Sequence, residues 1–146
     1  MKKLFFTVGT TDFPALTRKA NELHKSKKFK VVAQSPTRLK DTSLEQFNFK
    51  ENVIDYFLSS DLVITHAGAG SCYKLIELGV PIIVVPNLNR RDKHQKEIAL
   101  YFEKNNYCSV CWDLNKLENI IEKQDSVRFT PYRKTPFFLA KLIFSQ

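Results

Sequence analysis

The feature that most constrains the fold is an apolar run that leads through a loop of small residues into a helical pattern. Residues 62–64 are Leu-Val-Ile, residues 65–71 read Thr-His-Ala-Gly-Ala-Gly-Ser, and helical spacing of apolar residues follows. Three of the four glycines in the chain, Gly68, Gly70 and Gly79, fall in this block. A strand that ends in such a loop and continues as a helix directs free N–H groups and the positive end of the helix dipole outward. Because this suits a phosphate group, the pattern predicts a nucleotide site.

Apolar runs and helical patterns alternate along the rest of the chain. Strands are predicted over residues 4–8, 29–33, 44–49, 61–65, 82–85 and 108–112, with helices between them. Strands that are apolar throughout and separated by helices are typical of a parallel sheet covered on both faces. At 146 residues the chain can form one domain with a real core but not two. We therefore predict the α/β class, with a single Rossmann-like, doubly wound parallel sheet.

The glycine loop lacks the motifs that identify common nucleotide sites. Its spacing is G-x-G-S rather than G-x-G-x-x-G, and it has no P-loop lysine. In the functional interpretation, the Ser71 hydroxyl and the N–H groups of residues 70–72 hold a diphosphate. In the alternative, the loop is a tight turn without a ligand and Ser71 caps its helix.

A second candidate segment follows the predicted strand 82–85, where open α/β sheets bind ligands. His94 and Gln95 offer donors and acceptors suited to sugar hydroxyls, while Arg90 and Arg91 could neutralise phosphate. Alternatively, Asp92 is a helix cap and the others are surface residues.

The cysteines and the charges exclude several classes of function. Cys108 and Cys111 have C-x-x-C spacing, but a zinc site there lacks further ligands, so we expect Cys72, Cys108 and Cys111 to be free structural thiols and no metal to bind. The formal net charge is +8, with the basic excess in residues 1–40 and 126–146. No nucleic-acid-binding module is evident, and an anionic membrane surface or an acidic partner fits this distribution. No apolar run approaches the roughly 20 residues of a membrane span, which predicts a cytoplasmic protein.

Four motifs occur in an order that resembles a known family. They are Phe-Thr-Val-Gly-Thr-Thr at 6–11, the segment 61–71 with the glycine loop, Gly-Val-Pro-Ile-Ile-Val-Val-Pro-Asn at 79–87, and Asp-Lys-His-Gln at 92–95. Together they resemble the donor-binding C-terminal half of MurG-type GT-B glycosyltransferases. They are most similar to the stand-alone subunits of two-part enzymes, namely PssE-type bacterial polysaccharide glycosyltransferase subunits and the catalytic subunit of the dolichol-linked UDP-N-acetylglucosamine transferase. The resemblance covers residue 3 to about residue 112.

The resemblance implies a UDP-sugar-dependent hexosyltransferase that inverts the transferred sugar and needs no cofactor or metal. It also implies a membrane-associated, PssD-like partner that supplies the acceptor site and is required for activity. The acceptor is then a polyprenyl-diphosphate-linked saccharide used in exopolysaccharide, capsule or glycan synthesis. UDP-galactose, UDP-glucose and UDP-N-acetylglucosamine all remain open as donors. We expect the protein to be peripheral on the inner face of the membrane through its partner, with its C-terminal helix as a second candidate contact.

The resemblance also assigns roles to residues. The diphosphate and ribose are bound by Gly68, Ala69, Gly70 and Ser71. Donor-site residues on the later motifs are Asn87, His94 and Gln95, and the last two meet the sugar. Gly9 and Thr10 line the cleft toward the acceptor. His66 is a candidate general base, which could equally come from the partner.

One position departs from the family pattern. An acidic residue that binds the ribose commonly stands seven positions before the proline equivalent to Pro81, and this chain has Lys74 there. Glu77, three residues later on the same helix face, could substitute. Otherwise the chain is a non-catalytic activator of the same system. A third alternative is an unrelated nucleotide-binding module, for example one that binds NAD.

The chain divides into two predicted regions. Residues 1–125 form the nucleotide-sugar-binding domain, and residues 126–146 form a basic, aromatic C-terminal helix that docks on the partner or on the bilayer interface. In the alternative, this helix packs back on the domain.

Overall fold

A six-stranded parallel sheet organises the chain, in the order β3-β2-β1-β4-β5-β6. The structure, a computed structural model, describes residues 1–48, 53–89 and 93–132. The strands are β1 Lys2–Thr7, β2 Phe29–Gln34, β3 Glu45–Phe47, β4 Leu62–His66, β5 Ile82–Val85 and β6 Ser109–Val110. The helices are α1 Pro14–Lys25, α2 Val53–Ser59, α3 Ala69–Glu77, α4 His94–Lys104 and α5 Leu117–Lys123, with one-turn 3-10 helices at Leu114–Lys116 and Gln124–Ser126.

Helices cover both faces of the sheet, as the apolar strands predict. Successive side chains of a strand point to opposite faces, so Leu4 and Phe6 pack with α1 and α5 while Phe5 packs with α2, α3 and α4. Each face has its own buried cluster. The prediction of a doubly wound α/β domain is therefore confirmed.

The strand order creates a switch point between β1 and β4. From β1 the chain adds β2 and β3 on one side, and then it crosses back to add β4, β5 and β6 on the other. Thr7 at the end of β1 is paired with Thr65 near the end of β4. Ligands of open α/β sheets bind beyond the carboxyl ends of the strands at such a point. The topology therefore predicts a ligand site at the loops that follow β1 and β4.

The start of α3 differs from the sequence prediction. The helix begins at Ala69, its N-cap is Gly68, and Ser71 is its third residue. Because the carbonyl of Gly68 accepts a hydrogen bond from the N–H of Cys72 at 3.0 Å, the first turn forms two residues earlier than predicted. The alternative in which Ser71 caps the helix is wrong.

Strand β6 is also shorter than predicted. The prediction covered residues 108–112, but only Ser109 and Val110 pair with β5. Asp113 then caps the 3-10 helix by accepting a hydrogen bond from the N–H of Asn115 at 3.0 Å, which turns the chain away from the sheet.

Several sequence predictions fall outside the described residues. They concern the end of the 44–49 strand, Arg90, Arg91 and Asp92, and residues 133–146 of the C-terminal region. Within the described ranges, no helix combines the length and the apolar composition that crossing a bilayer requires.

Candidate functional site

The imidazole of His66 lies between the loop that follows β1 and the loop that follows β4. A Cβ placed on Gly68 would lie 2.4 Å from Nε2 of this ring, and one placed on Gly9 would lie 3.3 Å from its Cε1. The side chain is buried, with 6% of its surface exposed. Gly9 also has a φ of +63°, which favours glycine. The two loops approach each other closely because both have a glycine where they border the ring.

Gln34, at the end of β2, fixes the loop that follows β1. Its Oε1 accepts hydrogen bonds from the Thr7 hydroxyl at 2.6 Å and from the N–H of Gly9 at 2.9 Å. Its Nε2 donates to the carbonyl of Gly9 at 2.8 Å and to the carbonyl of Asn48. Sequence reasoning missed this residue. The one available signal was an amide at the end of an apolar strand, where a buried polar group needs partners.

A cavity of about 140 Å³ opens where these loops meet. It is lined by Thr7, Gly9, Thr10, Gln34, Val53, Phe57 and Ser71. The structure thus brings Gly9 and Thr10 together with Ser71, three residues predicted to belong to one site. One wall carries hydroxyl, amide and backbone groups, and Val53 and Phe57 form an apolar wall, a combination typical of small-molecule sites.

The N-terminus of α3 forms the adjoining part of the site. The first backbone N–H groups of a helix, here those of residues 69–71, have no acceptor within the helix. Ala69 and Gly70 are exposed. Among the described residues, no atom outside the helix lies within 4 Å of a Cβ placed on Gly70. This end of α3 can therefore receive an anion, and the helix dipole favours its charge.

A third loop, between β5 and α4, lies alongside. Val85 at the end of β5 pairs with His66 at the end of β4. Gln95 is buried, and its Oε1 accepts a hydrogen bond from the N–H of Asn87 at 2.9 Å, so this side chain holds the loop. His94 is exposed at the start of α4, and its Nδ1 lies 3.7 Å from Oε2 of Glu97.

Glu77 lies away from these loops. It is the last residue of α3, about 12 Å along the axis from the first residue at 1.5 Å per residue. Burial, followed by the charge of Glu77, raises the pKa of Tyr132 in the C-terminal segment. Lys74 is exposed and one turn nearer to the glycine loop. The structure therefore brings together the residues of the first two loops, but not Glu77.

The three cysteines are free and buried. Burial raises the pKa of the Cys108 thiol to about 12 and that of Cys111 to about 11, and it also raises the pKa of Cys72. Cys72 Sγ donates to the carbonyl of His66 at 3.3 Å. Within the described residues no group of three or more His, Cys, Asp and Glu side chains could hold a metal ion. Because all three are buried among apolar side chains, these thiols are part of the core.

Comparison with known proteins identifies relatives of this chain. Residues 3–135 match the family described as the glycosyltransferase family 28 C-terminal domain. Over 125 residues the chain is 32% identical to the UDP-N-acetylglucosamine transferase subunit ALG13 of Mus musculus. That match covers 76% of this chain and 11% of the mouse protein, so the chain spans about a tenth of this curated relative.

Two solved structures have a similar fold. The solution structure of ALG13 has a TM-score of 0.61 at 22% identity, over 97% of this chain and 94% of that one. The crystal structure of MurG from Acinetobacter baumannii has a TM-score of 0.67 at 18% identity, over 84% of this chain and 42% of that one. At these identities the likeness concerns the fold.

Proposed function

This chain belongs to the glycosyltransferase family 28 C-terminal domain family, and from that premise we propose that it is the donor-binding subunit of a two-part, UDP-sugar-dependent glycosyltransferase. The observation that carries the proposal is the N-terminus of α3, which adjoins the cavity between Ser71 and the Gly9 loop at the switch point. The mouse relative is named as a UDP-N-acetylglucosamine transferase subunit, which supports UDP-N-acetylglucosamine as the donor.

In this proposal the end of α3 binds the diphosphate of the donor. The N–H groups of residues 69–71 and the Ser71 hydroxyl donate hydrogen bonds to its oxygens, and the helix dipole offsets their charge. An acceptor hydroxyl attacks C1 of the sugar, the bond from C1 to the phosphate oxygen breaks, and UDP leaves. Donors already in place where negative charge develops lower the barrier to this step.

The proton of the acceptor hydroxyl goes to a general base. His66 is one candidate in this chain, because its ring lies between the two loops that border the cavity. The partner subunit is the other source, since a two-part enzyme places its acceptor opposite this domain. In both cases the sugar inverts at C1, because the acceptor attacks from the side opposite the leaving phosphate.

The partner and the acceptor are further parts of the proposal. We infer a membrane-associated, PssD-like subunit that binds a polyprenyl-diphosphate-linked saccharide and holds this chain at the inner face of the membrane. The basic residues 126–146 are the proposed contact with the partner or with the bilayer interface. The chain's resemblance to subunits of two-part enzymes supports a donor site on this chain and an acceptor site on its partner.

Calorimetric titration of UDP into the purified chain tests the donor site, with NAD as the control ligand. We expect saturable binding of UDP and none of NAD, because the loop lacks the dinucleotide fingerprint. Binding of NAD in preference to UDP would instead support the unrelated nucleotide-binding module. If neither nucleotide binds, the chain alone does not form a donor site.

A non-catalytic activator is the second candidate function, and Lys74 is the observation that favours it. We expect Lys74→Glu to tighten UDP binding about 10-fold, because a carboxylate that accepts hydrogen bonds from ribose hydroxyls contributes about 1.5–3 kcal/mol. Calorimetric titration measures the change. Lys104→Glu, at the far end of α4, reverses the same charge on an exposed residue and is the matched control. An unchanged or weaker affinity in Lys74→Glu would mean that the position does not face the ribose.

A further inference from the structure

We propose that Gln34 is a positioning residue for donor binding, a role that rests on the proposed function. It acts through the backbone of Gly9, which it holds by both the N–H and the carbonyl. Gly9 and Thr10 line the same cavity as Ser71. The Gln34 side chain therefore fixes the loop after β1, which borders this cavity together with the end of α3 that we propose binds the diphosphate.

The hydrogen bonds of Gln34 leave no spare capacity in its amide. A carboxamide has two acceptor sites on oxygen and two N–H donors. Here the oxygen accepts from Thr7 and Gly9, and the nitrogen donates to Gly9 and Asn48. The side chain is only 4% exposed, so water cannot readily replace a lost partner. Only an amide supplies two acceptor sites and two donors in this shape.

The position of Gln34 in the sheet explains why it reaches two loops. β2 lies between β1 and β3, and Gln34 is paired with Thr7 on one side and with Phe47 on the other. Because β2 lies between these two strands, the Gln34 amide at its end can bond both to Gly9, which follows β1, and to Asn48, which follows β3. No residue on an edge strand could join these two loops in the same way.

Holding Gly9 matters because its conformation is unusual. With a φ of +63° it has many alternatives once its hydrogen bonds are lost, since glycine populates both signs of φ. If the loop samples other conformations, the apparent affinity falls by the fraction of chains in the binding-competent one. Loss of the Gln34 amide should therefore weaken donor binding, although the hydrogen-bonding positions of this amide are already occupied by protein groups.

The chain offers a matched control in Gln46. Its Oε1 accepts from the N–H of Leu39 at 2.9 Å and its Nε2 donates to the carbonyl of Leu39 at 2.7 Å. Gln46 therefore bonds to both backbone groups of Leu39, as Gln34 does to those of Gly9. Leu39 lies in the connection between β2 and β3, and neither residue lines the cavity at Ser71. Gln46→Glu therefore removes the same donors from a loop outside the site.

The test compares Gln34→Glu and Gln46→Glu by UDP titration and thermal unfolding. We expect Gln34→Glu to bind UDP at least about 10-fold more weakly at pH 8, because a carboxylate faces two carbonyl oxygens and cannot donate. Gln46→Glu should lose less Tm, because Gln46 is only half-buried and makes two hydrogen bonds rather than four, and it should keep its affinity for UDP. Gln34→Met, which adds no charge, should also bind UDP weakly. Wild-type affinity in both Gln34 variants, or an equal loss in Gln46→Glu, would overturn the proposal.

The pH dependence separates positioning from general damage. Burial and the two facing carbonyl oxygens raise the pKa of the introduced carboxyl, against the opposing effect of the Thr7 hydroxyl and the Gly9 N–H. The protonated form again donates a hydrogen bond. UDP affinity of Gln34→Glu should therefore recover as the pH falls through that raised pKa and be lost as the pH rises. Wild type and Gln34→Met should show no such recovery, and its absence in Gln34→Glu would count against the proposal.

If the wild-type chain binds no UDP, the chain alone does not form a donor site, and amide hydrogen exchange then tests the positioning role by itself. The N–H of Gly9 should exchange slowly in the wild type and in Gln46→Glu and faster in both Gln34 variants. Equal exchange in all four proteins would overturn the positioning role.

Discussion

Gly68→Ala is expected to bind UDP at least about 10-fold more weakly than the wild type and to unfold at a lower temperature, because overpacking of a buried site costs about 1–3 kcal/mol. The new Cβ would lie 2.4 Å from Nε2 of His66, well inside contact distance. That ring is buried and also borders Gly9, so it has little room to move. The strain therefore shifts the start of α3, where we place the diphosphate. Calorimetry and thermal unfolding measure the two effects.

Gly70→Ala is the matched comparison, two residues further along the chain. The space around its Cβ position is open and Gly70 is in α3, so alanine should stabilise the fold by up to about 1 kcal/mol. We nevertheless expect weaker UDP binding, because the methyl group fills the space over which the diphosphate passes. A Gly70→Ala chain with wild-type affinity would show that the ligand does not approach there. If the ring causes the strain, Gly68→Ala should cost less stability in a His66→Ala background than in the wild type.

The interior of the sheet was predictable because its strands are buried on both faces. β4 and β5 were predicted within one residue of their observed bounds, since each contains an unbroken run of at least three apolar residues. Edge strands carry a weaker signal. β3 exposes Glu45 and β6 has two residues, so neither has the continuous apolar run that marks a central strand. Their approximate positions could be predicted, but their lengths could not.

The site was predictable only as far as local sequence determines it. Glycines after strands indicated the loops of Gly9 and Gly68, because close approach and a positive φ are local requirements. Gln34 could not be found in this way, since its role depends on β2 lying between β1 and β3. For Glu77, local spacing was misleading. It places Glu77 on the same helix face as Lys74, but Glu77 lies about one turn further from the glycine loop.

The loop after β5 is held by a side chain that we also expect to meet the donor sugar. Gln95 is 7% exposed, and its Oε1 accepts from the N–H of Asn87 at 2.9 Å. Its Nε2 can donate to a sugar hydroxyl at the carboxyl edge of the sheet, where β5 adjoins β4. We therefore expect Oε1 of Gln95 to hold the loop and Nε2 of Gln95 to bind the sugar. Two substitutions separate these roles.

Gln95→Ala is expected to reduce sugar transfer by the pair of this chain and its partner on the order of 100-fold, the scale of losing a positioned donor at a reacting group. The measurement is the transfer of labelled N-acetylglucosamine from UDP-N-acetylglucosamine to a lipid-linked acceptor. Stability should fall by only about 1 kcal/mol, the worth of one hydrogen bond. UDP binding should stay within a few-fold, because the diphosphate contacts lie on α3.

Gln95→Glu distinguishes the loop from the sugar contact. Its carboxylate can still accept from the N–H of Asn87, so the loop keeps its anchor, but the N–H donor to the sugar is lost. If Gln95 meets the donor sugar, both variants lose transfer, whereas an anchoring role alone predicts loss only in Gln95→Ala. His94→Ala, at an exposed neighbour, should lose less than either. Full transfer by all three variants would favour the activator, because a subunit that only stimulates its partner does not need a sugar contact.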